Sequence, residues 1–330
     1  MKQNIYKKEL SYDGLRKLSD DCTFGIEIEF ENSPQKELEF KLEDFLEYSD
    51  RAWELKEEAT TMTLLPPDYQ RQALYIENDN AYAGGEITSP ILRAEVNDWL
   101  EIKNICQMIE RTDGIITESC AGHIHYGLQM LEDEPIYYKN LINLWAAFED
   151  VIMTFCSGEH EHIRPGYIVH APLIANLVKE HHYFFDTSPG FTVQSLLYEY
   201  GLASPTNRKA INFSNISIYN QEISGTVEIR LPNGTLNPWI WQNNITFFDA
   251  LINKAKNMNR KEIILIKKIL SNEVVFANQF NKFSLLLDLI YQSDLQKLYA
   301  QRQFIDHGYN LEPSYQEFDQ QLDNLYRVRV

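Results

Sequence analysis

Glutamate and histidine recur in this sequence at a spacing of two residues, inside segments that alternate between polar and apolar side chains. Residues 24–30 are Phe-Gly-Ile-Glu-Ile-Glu-Phe, so Glu27 and Glu29 lie two apart, and His123 and His125 are spaced in the same way. Successive side chains of a β-strand point to opposite faces, so each pair shares one face. Carboxylates and imidazoles gathered in this way are ligands for a divalent cation.

Two further segments repeat this design. Glu228 and Arg230 share one face of a predicted strand, and Glu86 shares a face with Thr88. Carboxylates and imidazoles on one face repel or desolvate one another unless a cation lies between them. Mg²⁺ or Mn²⁺ prefers oxygen ligands and tolerates an imidazole, and an arginine nearby anchors phosphate or carboxylate oxygens. The combination predicts nucleotide-dependent chemistry.

Glycines accompany these pairs, and the sequence has no phosphate-binding loop. Glycine next to a functional strand position allows a ligand to approach the backbone. The glycines concerned are Gly25, Gly84, Gly85, Gly122 and Gly127. There is no GxxxxGK[ST] loop, and no GxGxxG follows a predicted strand. We therefore expect a nucleotide to be held by metal ions and strand residues.

The elements that must position these side chains are strands interleaved with helices. Strands are predicted at 24–30, 86–88, 115–130, 211–219 and 223–231. Helices are predicted at 37–53, 95–112, 136–156 and from Asn237-Pro238 onward, where Asn is the N-cap and Pro opens the first turn. Alternating strands favour an antiparallel α+β sheet with one apolar face over a doubly wound parallel sheet.

Composition excludes several classes of protein. The chain has 330 residues, with 30 Lys and Arg against 48 Asp and Glu, and a net charge of −18. This acidity excludes a general nucleic-acid binder and a protein that docks on anionic membranes. The four cysteines form no CxxC pair, no secretory signal is visible at the start, and no apolar run reaches the ~18 residues that span a bilayer. We expect a cytoplasmic protein.

Four segments, in this order and spacing, resemble the amidoligase family of ATP-dependent carboxylate–amine ligases, in the glutamine synthetase and glutamate–cysteine ligase superfamily. They are Phe24–Phe30, the stretch from Asp79 to Gly-Gly-Glu-Ile-Thr-Ser-Pro90, Ala-Gly-His-Ile-His-Tyr-Gly at 121–127, and Thr-Val-Glu-Ile-Arg-Leu-Pro-Asn-Gly-Thr at 226–235. One departure is Asn80-Ala81, where Gly-Ser is usual. The resemblance spans residues 22 to about 250.

The resemblance implies a fold, a division of the chain and a set of site residues. The fold is a curved antiparallel sheet that forms an active-site funnel flanked by helices, as in glutamine synthetase. Residues 1–250 are the implied catalytic domain, and residues 251–330 are a C-terminal helical extension packed on it. The implied metal ligands are Glu27, Glu29, Glu86, His123 and Glu228. His125 lies near the nucleotide phosphates, Arg230 contacts the phosphoryl oxygens, Arg208 is a second catalytic arginine, and Asn212 contacts nucleotide or substrate.

The implied reaction joins a carboxylate to an amine. ATP phosphorylates the carboxylate with Mg²⁺ or Mn²⁺ as cofactor, and an amine then attacks the acyl phosphate. The substrates are a small-molecule or peptide carboxylate and an amine donor, and a homo-oligomer or a protein substrate stays open. Asp79 and Glu118 are candidates for the base that deprotonates the amine. Two alternatives are a metal-dependent hydrolase or phosphatase and a nucleotide-binding pseudoenzyme on the same fold.

Overall fold

A computed structural model gives the fold of this chain. It describes residues 18–46, 52–57, 82–117, 120–156, 174–175, 178, 192–199, 202, 209–219 and 222–307. The strands are β1 (Phe24–Pro34), β2 (Glu54–Glu57), β3 (Tyr82–Thr88), β4 (Gly122–Gly127), β5 (Ile211–Asn212), β6 (Ser217–Tyr219), β7 (Glu222–Ser224) and β8 (Thr226–Ile229). The helices are α1 (Gln35–Leu46), α2 (Val96–Arg111), α3 (Pro135–Cys156), α4 (Val193–Glu199), α5 (Pro238–Lys256), α6 (Arg260–Leu270), α7 (Gln279–Ile290) and α8 (Asp294–Asp306).

Within these ranges, six strands form an open sheet in the order β2-β3-β1-β4-β8-β5, and every neighbouring pair is antiparallel. Strands β6 and β7 pair separately as a short hairpin. Helices flank the six-stranded sheet and share its apolar core. The predicted combination of an antiparallel sheet with flanking helices is therefore confirmed.

The apolar face of the sheet is built from the residues that alternate with the charged pairs. Ile26 and Ile28 on β1 and Ile124 and Tyr126 on β4 are each no more than 1% exposed. The Tyr126 hydroxyl donates a hydrogen bond of 2.7 Å to the main-chain oxygen of Ile245 in α5. The helices thus cover one face of the sheet, and the charged pairs are left on the other.

Aromatic rings join the C-terminal helices to the helices that cover the sheet. Phe155 of α3 and Phe247 of α5 have ring centroids 4.3 Å apart. Phe283 of α7 stacks on Phe304 of α8 at 4.2 Å and lies 6.0 Å from Phe247. Helix α5 itself runs through residue 250, where the sequence placed a domain boundary. The division at that residue stays a prediction.

The helix predicted over Glu37–Trp53 is shorter in the structure. Helix α1 ends at Leu46, and β2 begins at Glu54. Trp53 is buried, and its indole N–H donates to Glu101 of α2 at 3.1 Å. A large side chain anchored in the core directs the following residues along the sheet edge, where they pair with β3. The prediction missed this edge strand.

The strands predicted at 115–130, 211–219 and 223–231 are also shorter than expected. Strand β4 ends at Gly127, because the next residues form a 3₁₀ turn with Leu128 and Met130 buried. The last two segments form four short strands, β5 to β8. Between β7 and β8, Gly225 has φ +111°, and a Cβ there would lie 2.0 Å from the Asn215 carbonyl oxygen. Only glycine fits that backbone bend.

The predicted start of α5 is confirmed, and it gives a stability test. The Asn237 side chain accepts a hydrogen bond of 3.0 Å from the Trp239 N–H, and Pro238 opens the helix. Replacing an Asn N-cap by alanine typically costs about 1 kcal/mol. We expect Asn237→Ala to lower the free energy of unfolding by that amount in urea titrations, with an unchanged m-value. A stability equal to that of the parent would contradict the capping role.

Among the described helices, none combines the length and apolar character that crossing a bilayer requires.

Candidate active site

The charged pairs meet on the face of the sheet opposite the helices. Strand register places their side chains in three rows that run across neighbouring strands. In order across the sheet, the rows are Lys56–Glu86–Glu29, Thr88–Glu27–His123 and Gly25–His125–Glu228–Asn212. Directly opposed residues of antiparallel strands have Cβ atoms about 4.5–5.5 Å apart, so side chains of each row reach one another. The sheet thus brings residues more than 200 positions apart into one site.

Glu27 lies at the centre of this face and binds both histidines. Its Oε2 is 2.8 Å from Nδ1 of His123, and its Oε1 is 3.0 Å from Nε2 of His125. The second ring nitrogen of His125, Nδ1, is 3.1 Å from the hydroxyl of Thr226. A hydrogen bond to one imidazole nitrogen fixes the ring orientation and directs the other nitrogen. Thr226 therefore orients Nε2 of His125 towards Glu27.

Glu228 on β8 is the next acid of this face, and it is buried. Its Oε2 accepts a hydrogen bond of 2.7 Å from the Asn212 amide, and its Oε1 accepts one from Arg230. The same oxygen lies 3.8 Å from Nδ1 of His123. Asn212 is 1% exposed, and its amide oxygen accepts from the Ser214 N–H. The structure thus shows Asn212 supporting Glu228, and its predicted contact with nucleotide or substrate stays a prediction.

Glu29 and Glu86 form the row next to the centre. Glu29 is buried, accepts the Ala121 N–H, and has Oε1 3.7 Å from Nε2 of His123. Glu86 has Oε1 3.5 Å from Nζ of Lys56. Burial and the charge of Glu27 raise the pKa of Glu86, and Lys56 opposes that shift. Positive charge near this row would accordingly favour the ionised form of Glu86.

Three of these side chains have the spacing of a metal site. Glu27, His125 and Glu228 each offer one donor atom, and the three atoms lie within 4.8 Å of one another. Two carboxylates and one imidazole suit Mg²⁺ or Mn²⁺ by donor chemistry. Glu27 and Glu228 are two of the predicted metal ligands. His125 is the histidine that the family resemblance placed near the nucleotide phosphates. The predicted ligation by Glu29, Glu86 and His123 stays a prediction.

The charges of the cluster shift its acid–base equilibria in opposite directions. Burial by itself would raise the pKa of Glu27, but the hydrogen bonds and charges of His123 and His125 outweigh it, and the pKa is held well below its usual range. Burial would lower the pKa of His125, but the hydrogen bond and charge of Glu27, with the charge of Glu228, raise it above the ordinary value of 6.5. The two groups thus favour each other's charged forms, as the partners of an ion pair do.

This ion pair predicts a pH dependence in the metal-free protein. The raised pKa of His125 stabilises the fold below its unfolded value of about 6.5, and this contribution is lost as the pH rises through the raised folded value. The lowered pKa of Glu27 stabilises the fold above about 4.3, and that contribution is lost as the pH falls. We therefore expect the pair to contribute most between about pH 4.3 and 6.5.

The histidine titration can be followed by two-dimensional NMR. In Glu27→Gln, the pKa of His125 is expected to fall below the parent value, because the charge that raises it is removed. His307 is an internal control, since burial lowers its pKa to about 4 and its ring bonds to the Phe155 main-chain oxygen instead. An unchanged His125 titration in the variant would contradict the ion pair.

Some predicted residues lie outside the described part of the chain, and two neighbours of the site were missed. Arg208, Asp79 and Glu118 fall outside the described ranges.

Lys56 was missed because its segment was taken as helical or irregular, although Glu-Leu-Lys-Glu at 54–57 alternates as a strand does. Thr226 was missed although it precedes Glu228 by two residues and so shares its face.

The glycines beside the charged pairs have more than one role. A Cβ on Gly122 would lie 2.9 Å from both the Asn233 carbonyl oxygen and the Trp241 ring. A Cβ on Gly85 would lie 2.8 Å from the Phe30 ring, which is a protein contact as well. At these two positions protein atoms fill the space, so the expectation of ligand approach is wrong there. Gly25 differs, because a Cβ there would make only ordinary contacts, the nearest being Ser89 Oγ at 3.5 Å.

Comparison with known families agrees with the resemblance of the motifs. The model of a family described as "Putative amidoligase enzyme" matches residues 20–252, well over half of the chain. The match includes every residue of the three rows. The match supports a ligase-type enzyme. This chain belongs to the amidoligase family. A search of curated proteins gives no match.

Proposed function

We propose that this chain is an ATP-dependent carboxylate–amine ligase that forms an amide through an acyl phosphate. The observation that carries the proposal is the cluster of Glu27, His125 and Glu228, whose donor atoms lie within 4.8 Å of one another. Arg230, a group suited to phosphoryl oxygens, is hydrogen-bonded to Glu228 of that cluster. The amidoligase family match supports the same reaction class.

The proposed reaction has two steps. A carboxylate oxygen of the substrate attacks the γ-phosphorus of ATP, an O–P bond forms, the bond to the β-phosphate bridging oxygen breaks, and ADP leaves. The amine then attacks the carbonyl carbon, a C–N bond forms, the C–O bond to phosphate breaks, and a base takes the ammonium proton. Asp79 and Glu118 stay the candidates for that base.

The chain's own residues have distinct parts in this scheme. Glu27, Glu29, Glu86, His123 and Glu228 are the proposed metal ligands, to which the spacing of the cluster adds His125. Bound Mg²⁺ or Mn²⁺ would neutralise charge on the phosphoryl oxygens and hold the line of attack. Arg230 would donate to the transferring group, with Arg208 as a second donor, and Asn212 would keep Glu228 in place.

Further details of the protein belong to the same proposal. We propose that the open sheet forms a funnel of the glutamine synthetase type, with the three rows on its inner wall. The carboxylate is a small molecule or a peptide, and the amine donor is separate. Neither nucleic acid nor a membrane is a proposed partner, because the net charge of −18 opposes both.

The test is a coupled turnover assay. Purified protein, Mg²⁺, ATP and a pool of amino acids and short peptides should yield ADP, phosphate and an amide detected by mass spectrometry. Phosphate release that needs no amine would favour a hydrolase or phosphatase. Tight Mg–ATP binding without any turnover across the pool would favour a pseudoenzyme. An absence of Mg–ATP binding would contradict the proposal.

A further inference from the structure

Gly25 leaves a gap in the face that carries the predicted metal ligands. It lies on β1 directly across from His125, at the end of the row that continues to Glu228 and Asn212. Strand alternation places position 25 on the same face as Glu27. Among the described residues, only Ser89 Oγ at 3.5 Å and the Pro90 carbonyl oxygen at 3.9 Å lie within 4 Å of where its Cβ would be. A Cβ at position 25 would therefore make ordinary van der Waals contacts, and this face carries no side chain there.

The missing side chain matters because the cation requires more ligands than the cluster supplies. Mg²⁺ takes six oxygen-type ligands in octahedral geometry, and it is usually held by one or two carboxylates together with substrate phosphates and water. Glu27, His125 and Glu228 supply three donors. Glu27 lies on β1, His125 on β4 and Glu228 on β8. On β1 the position next to His125 is Gly25, so the remaining ligands have room to approach there.

Backbone conformation offers no other reason for glycine at this position. Gly25 is inside β1, and Gly225 is the glycine with positive φ among the described residues. A strand interior normally disfavours glycine, because glycine loses more conformational freedom on folding and has no side chain to pack. Glycine here therefore has a cost in stability that neither strain nor protein packing explains.

We infer that Gly25 is a specificity-determining position, where the absent side chain lets phosphoryl oxygens of a polyphosphate substrate reach the cation at Glu27, His125 and Glu228. The inference rests on the proposed function, because it takes that cluster to be the metal site. An added methyl group at position 25 would occupy the approach without changing any metal ligand. Larger side chains would close it further.

The test compares Gly25→Ala and Gly25→Val with the parent. Isothermal titration calorimetry with Mn²⁺ alone measures the affinity of the metal site. Titrations with Mg–ATP and with Mg–tripolyphosphate measure the affinity for a polyphosphate with and without a nucleoside. In Gly25→Ala we expect unchanged Mn²⁺ affinity, a melting temperature equal to or above that of the parent, and at least about tenfold weaker binding of both polyphosphates. The loss should be larger in Gly25→Val.

Gly122→Ala is the matched control for a glycine that protein packing requires. The new Cβ would lie 2.9 Å from the Trp241 ring on the apolar face, so the melting temperature of this variant should fall.

Parent-like polyphosphate affinity in both Gly25 variants would overturn the inference. A loss confined to ATP would overturn it as well, because it would place the nucleoside over Gly25 instead. A parent protein that binds neither Mn²⁺ nor Mg–ATP would contradict the proposed function itself, and the inference with it.

Discussion

Glu27→Ala is expected to lower amide formation by more than about 100-fold and to weaken Mn²⁺ binding by a similar factor. Glu27 contacts both histidines and belongs to the three-donor cluster. Loss of residues that only support metal ligands already costs about 10–100-fold in affinity or activity, so loss of a ligand should cost more. The variant also leaves His123 and His125 without the carboxylate between them.

The measurements are Mn²⁺ titration calorimetry and the coupled turnover assay, with circular dichroism to verify the fold. Glu39→Ala is the matched control, because Glu39 lies exposed on α1 and the change removes the same group from the surface. The control should keep parent-like binding and turnover. If Glu27→Ala turns over at the parent rate, Glu27 is not a ligand of a catalytic metal.

Arg230→Ala is expected to lower the turnover number by about 10²–10³-fold, the usual cost of losing one donor to charge that develops in the transition state. In the structure Arg230 is hydrogen-bonded to Glu228 and is largely buried, so its guanidinium is held beside the proposed metal site. Arg230→Lys keeps the charge but loses the planar fork that binds two oxygens at once. We expect that variant to be intermediate between the parent and Arg230→Ala.

Steady-state kinetics with ATP distinguish this role from a structural one. A donor to the transferring phosphoryl group should change the turnover number more than KM for ATP, and Mn²⁺ affinity should stay within a few-fold of the parent value. Arg260→Ala on the exposed start of α6 is the control for loss of one arginine. An Arg230→Ala variant with unchanged turnover would remove Arg230 from the proposed mechanism.

Much of the site could be predicted because strand alternation is a local property. Glu27 and Glu29 share a face whatever the strand pairs with, and the same holds for His123 and His125. The N-cap at Asn237 could be predicted for the same reason, since it depends only on the residues that start one helix. The extents of the strands were less predictable, because a buried anchor such as Trp53 ends one element and starts another through contacts with distant residues.

The sequence by itself determined which side chains share a face, the resemblance to the amidoligases and the net charge of −18. Only the tertiary structure decided which faces meet, because register between strands depends on long-range pairing that no local pattern encodes. That register grouped Glu27 with His125 and Glu228, placed Asn212 behind Glu228, and brought Lys56 beside Glu86 on an edge strand. Glu27, Glu86 and Glu228 thus acquire their chemistry from their cross-strand neighbours.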